Sequence, residues 1–113
     1  MANKHKGEIE FQSEGNSYIL RYSTNALCEL EAILEMPFNS VLIEFAENKI
    51  SMINTRAMFY AGLTEFHSDM SISLAGELLD KIGIDRGITL LNEAITLAFP
   101  ASSGSKKKES PPQ

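Results

Sequence analysis

A single change of hydrophobic period, just after Tyr22, most constrains what this chain can fold into. From Gly7 to Tyr22 apolar and polar residues alternate, with Ile9 and Phe11 in one run and Tyr18, Leu20 and Tyr22 in the next. A period of two marks strands with one face buried. Between the runs, Ser13-Glu14-Gly15-Asn16 contains Gly15 and Asn16, residue types that tolerate the positive φ of tight turns. The pattern predicts a β-hairpin over roughly residues 6–22. A lone hairpin is marginal in water, so its apolar face must lie on helices or meet another chain.

Past Tyr22 the spacing becomes helical. Ala26, Leu27, Leu30, Ile33 and Leu34 share one face, with Ser23, Thr24 or Asn25 as N-cap and Glu29, Glu31 and Glu35 toward solvent. Pro37 ends this helix near Glu35, because the residue before proline is driven out of the α region. Asn39 or Ser40 can cap a second helix with Val41, Leu42, Phe45 and Ala46 as its stripe, ending near Asn48. Ser51 opens a third stretch through Met52, Ile53, Phe59, Tyr60, Leu63 and Phe66 to about His67. Gly62 lies inside it, and a glycine there is best explained by a helix or strand crossing close by. Ser71 or Ser73 caps a fourth helix with Leu74, Ala75, Leu78, Leu79 and Ile82 inward and Gly83 just beyond its end. A fifth runs from about Arg86 to Ala98, with Leu91, Ala94, Ile95 and Ala98 on one face and Pro100 after it. The expected fold class is therefore α+β, an N-terminal hairpin followed by four or five short packed helices. Residues 1–5 read as a flexible arm, 6–100 as one domain, and 101–113, rich in Ser, Lys and Pro, as a disordered tail.

At 113 residues the chain is long enough for one core and too short for two. No window approaches the roughly 18 consecutive apolar residues of a membrane span, and the N-terminus lacks a signal-peptide pattern, so a cytoplasmic protein is expected. Residues 24–66 hold six carboxylates and two cations, and only residues 101–113 are net basic, with three lysines and one glutamate. An acidic body lacks the cationic footprint of nucleic-acid binding. Cys28 is the only cysteine, which excludes an internal disulfide and a multi-cysteine zinc site; its place in an apolar helical pattern predicts packing as a small hydrophobe.

No catalytic constellation emerges. His5 and His67 belong to no metal-binding spacing, and His67 is expected at a helix end as a cation or turn cap. A Cys28–His67 nucleophile and base pair has no support from spacing. Glu29, Glu31 and Glu35 read as a solvated acidic face. The glycines form no phosphate-cradling loop, and Asp80 and Asp85 around Gly83 lack the ladder of a calcium loop. The expectation is a protein that is not an enzyme and uses no cofactor or metal. What remains is surface. Met58, Phe59 and Tyr60 are adjacent and cannot all face one core, so with Phe66, and Met70 beyond, they form the candidate partner-binding patch. The unpaired edge of the hairpin is a second candidate.

Lys6-Gly7-Glu8 before the hairpin, Tyr18 to Tyr22, Asn25 to Glu31, Ala61-Gly62-Leu63 followed by His67, Leu74-Ala75-Gly76, Ile82-Gly83, and Ala94 to Pro100 together have an order and spacing that resembles the gene-transfer-agent family of small phage tail proteins. The resemblance spans roughly residues 6–100. It implies a tail assembly chaperone that binds the long helical tape measure protein before the tail tube polymerises around it, with the tail tube protein as a further partner and self-association compatible. Some members are described as tail tube proteins, so a structural tail tube or tail-completion subunit is the alternative. Known tail tubes build rings on a much larger sheet than one hairpin, which favours the chaperone. A small enzyme or regulatory adaptor outside the phage setting is a third reading. No catalytic residues carry over, and the shared positions Asn25, Leu27, Leu30, Gly62 and Phe99 read as fold-determining. Met36-Pro37 stands where the family pattern has a leucine-glycine helix end, so the following turn is expected to differ. The run Lys106-Lys107-Lys108 is compatible with a slippery adenine tract and an extended form of the protein.

Overall fold

The computed structural model describes residues 2–99. Two strands, β1 (Ile9–Ser13) and β2 (Asn16–Leu20), form the expected hairpin, followed by five helices: α1 (Thr24–Leu34), α2 (Phe38–Ala46), α3 (Met52–Leu63), α4 (Ile72–Ile82) and α5 (Ile84–Ala98). The α+β reading holds. The tail at 101–113, the lysine run and Pro100 lie outside the described residues.

The strands are antiparallel, with Phe11 opposite Tyr18 and Ser13 opposite Asn16. Their two-residue turn places Glu14 at φ 51° and Gly15 at φ 81°. Positive φ at both central positions matches the right-handed twist of the flanking strands. Glu14, rather than Asn16, shares this conformation with Gly15, because Asn16 already pairs in β2. The expected N-terminal arm is also more ordered than polarity implies. Lys4–Lys6 make a 3-10 turn capped by Asn3, whose side chain accepts from the His5 N–H. The Glu8 carboxylate, nearly buried, accepts from the Asn3 N–H at 2.9 Å, tying the turn to the start of β1.

Helix boundaries follow their caps. Ser23, Ser51 and Ser71 each accept from the N–H three residues on, opening α1, α3 and α4. α1 ends where Glu35 turns left-handed at φ 54°, two residues before Pro37. At α2 the expected cap at Asn39 or Ser40 is displaced: Pro37 occupies the N-cap position, and the Glu31 carboxylate accepts from the Phe38 N–H at 2.8 Å. One member of the expected solvated acidic face thus caps the neighbouring helix. α5 starts two residues earlier than expected, because Gly83, at φ 93°, both ends α4 and precedes α5.

Helix α3 occupies the centre, packed by α1, α4, α5 and β2. Gly62 is the reason β2 can lie so close. A Cβ there would stand 2.9 Å from Leu20 Cδ2 and 3.2 Å from the Tyr22 ring, while the Arg21 N–H donates to the Gly62 carbonyl at 2.8 Å. Phe11, Leu20, Leu30, Val41, Phe59, Leu63 and Leu91 belong to the resulting single core.

Candidate interaction surface

The structure divides the expected patch. Met58 and Phe59 have no exposure, Tyr60 is half-buried, and Phe66 is 41% exposed. Met58 and Phe59 are therefore corrected to core residues. A helix enclosed on several sides can bury adjacent residues that a one-sided helix cannot. The Phe59 ring sits 5.7 Å from that of Phe11, and the Met58 carbonyl accepts the buried Tyr22 hydroxyl at 2.5 Å. Burial pushes the Tyr22 phenol well above its usual range, so the hydroxyl stays protonated and donates.

The hairpin edge is partly closed. Because Ser13 and Asn16 flank a two-residue turn, hydrogen-bonded pairs recur at Phe11 with Tyr18 and Ile9 with Leu20, and the Ile19 N–H points away from β1. That N–H donates to His67 Nε2 at 3.0 Å. The imidazole is packed on Tyr18, with ring centroids 5.3 Å apart. Desolvation lowers the His67 pKa, opposed by the carboxylate of Asp69. His67 is thus a neutral acceptor on the strand edge, not the expected helix-end cation; Nε2 is unprotonated and the proton resides on Nδ1. On the outer edge of β1 the Arg86 guanidinium approaches the Gln12 carbonyl at 3.5 Å.

Cys28 is exposed rather than packed, because Ala26 and Leu30 take the inward positions of α1. The His67 ring lies against β2, with Tyr18 and the Ile19 N–H as its partners. Among the described residues, no group of three or more His, Cys, Asp or Glu is arranged to hold a metal ion. No helix among them is long and apolar enough to cross a membrane.

Apolar surface is instead open elsewhere. Met52 and Ile53, which open the expected helical period of α3, are 59% and 67% exposed, Ile43 is 58% exposed, and Leu74, expected inside, is exposed on α4. At the first turn of α3 the starts of α4 and α5 leave a hollow and not a seal. Three hollows follow α5. Near its N-terminus Ile84 lines one of about 550 Å³ with Met52, Ile53, Ile72 and Asp80. Midway, Ile88 and Asn92 line one of about 440 Å³ with Phe45, Ala46 and Ile50. At the C-terminal end Asn92, Ile95 and Phe99 line a third of about 310 Å³ with Leu42, Ile43, Phe45 and Ala46. The second, with Asn48 and Thr89 also in its lining, and the mainly apolar third adjoin at Phe45, Ala46 and Asn92, along a furrow between α2 and α5. A signal for it was present in sequence: Val41-Leu42-Ile43, then Phe45-Ala46, is too broad for one buried stripe. Only Phe38 and Val41 of α2 are buried.

No family model, curated protein or solved structure matches this chain.

Proposed function

We propose that this protein is a tail assembly chaperone of a phage or phage-like particle, acting in the host cytoplasm by covering apolar helical segments of the tape measure protein until the tail tube forms around it. The family resemblance supplies the partner. The observation that carries the physical side is the apolar furrow between α2 and α5 on an acidic domain. A long helical protein with exposed apolar residues aggregates, and a small charged domain with a matching apolar surface keeps it apart from its own copies. Helix in groove is the recognition mode such a surface supports. Reversible binding needs no catalytic group.

Co-expression with the tape measure protein of the same tail gene cluster tests this reading. The expected result is a co-purifying complex and a tape measure that precipitates when produced alone. A tape measure that is soluble alone and does not bind contradicts it. Stoichiometric copies in purified tails would make the protein a structural tail subunit instead.

A further inference from the structure

We infer that a second copy of this chain docks at the hollow between α4 and the starts of α3 and α5, forming a two-fold dimer in which Met52 and Ile53 of each copy enter the other's hollow and Arg56 pairs with the partner's Asp80. The inference does not rest on the chaperone reading, and among the described residues none lines both this hollow and the α2–α5 furrow. Ile53 and Met52, on the α3 wall, are the two most exposed large apolar side chains among the described residues. Ile72 of α4, Ile84 of α5 and the buried Leu79 form the recess beside them. A protrusion beside a recess is what a two-fold contact needs, because the same patch serves both partners.

The charges select the occupant. Arg56 and Asp80 line different walls of the hollow, on α3 and α4, and both are exposed. Among the described residues neither makes an ion pair; the salt bridges are Arg21–Glu65 and Lys81–Glu14. Arg56 is nonetheless laid in place, because its stem crosses α4 at Gly76, where a Cβ would stand 3.1 Å from Arg56 Cδ. A glycine in a helix interior is costly, and here the arginine stem takes up the space it leaves. Gly76 and Asp80, four residues apart, share a face of α4. A strongly basic partner would meet Arg56 unfavourably, and a strongly acidic one Asp80. A second copy carries the same balanced pair, and a two-fold axis sets Arg56 against Asp80 twice. On a chain of net charge −5, such a patch escapes the repulsion that two acidic faces would meet. With few apolar side chains and exposed ion pairs the contact is weak, so unfolding at about 5 µM protein reads the monomer.

Sedimentation equilibrium of the full chain from about 5 µM to about 500 µM reads the dimer. The parent is expected to pass from monomer to dimer over this range, and Ile53→Asp to remain monomeric. Arg56→Glu and Asp80→Arg are each expected to weaken the dimer at least about tenfold, since each sets like charges across the axis. Mixed in equal amounts they are expected to restore it to within about threefold of the parent, because each supplies the charge the other lacks. Both side chains are exposed, so both variants are expected to keep the parent's far-UV circular dichroism. A mixture that stays monomeric, or single charge variants that dimerise as the parent does, overturns the inference. So does a dimer that Ile53→Asp leaves intact, which would belong to another face. A parent that is monomeric at every concentration also overturns it, and the hollow would then belong to another protein or to residues 100–113.

Discussion

Met52 and Ile53 in the first turn of α3 are largely exposed, whereas Met58 and Phe59, less than two turns further along the same helix, have no contact with solvent. Both pairs are apolar. The difference lies in what the rest of the chain brings alongside: Phe11, Leu20 and Tyr22 close over Phe59, Gly62 and Met58, whereas Met52 and Ile53 line an open hollow with Ile72 of α4 and Ile84 of α5. Apolar character alone therefore marks surface in need of cover. Whether the cover is this chain or another depends on tertiary neighbours.

Substitutions at the two ends of α3 should differ most in stability. Phe59→Ala removes a fully buried ring and is expected to cost about 3–5 kcal/mol, measured by urea unfolding. A cost near zero would show that the centre of α3 is not sealed. Gly62→Val is expected to cost about 1–3 kcal/mol by overpacking, since Leu20 and Tyr22 are buried and have little room to yield. Retention of full stability there would break the close approach of β2 to α3.

A pH effect sharpens the comparison at the hairpin edge. The folded His67 pKa lies below its ordinary 6.5, so between the two values the unfolded chain binds more protons. Stability from this group is present above pH 6.5 and declines as the pH falls below it, because a protonated Nε2 would direct its N–H at the Ile19 N–H. His67→Gln, which can accept without titrating, is expected to show a smaller loss of melting temperature between pH 7.5 and pH 5 than the parent chain. An identical loss in both would remove His67 from the edge. The smallest effect is expected at the open end of α3: Ile53→Ser should change stability by no more than about 0.5 kcal/mol. A larger loss would make that turn part of the core.

Local rules made the hairpin and the helix starts legible, since alternation, Gly15 and the serines at 23, 51 and 71 act within a few residues. Gly62 was legible as a close crossing, though its partner, β2, was not. Met58 and Phe59 were misread because a one-sided helix was assumed for α3. Cys28 and Leu74 were placed inward by spacing that each helix satisfies equally well after a small rotation, and neighbouring elements fixed that rotation. The Glu31 cap on α2 and the His67 bond to Ile19 depend on residues 7 and 48 positions apart in the chain. The furrow arises from two helices separated by all of α3 and α4, so its breadth on α2 was visible and its second wall was not.

Amide hydrogen exchange on the complex with the tape measure protein tests most directly whether the uncovered apolar surface along α5 is the working face. Slower exchange or protection on binding is predicted within residues 41–48 and 84–96, with the hairpin at 9–20 unchanged. Protection confined to the hairpin, with α2 and α5 unchanged, would contradict it and place the partner on the strand edge that His67 closes.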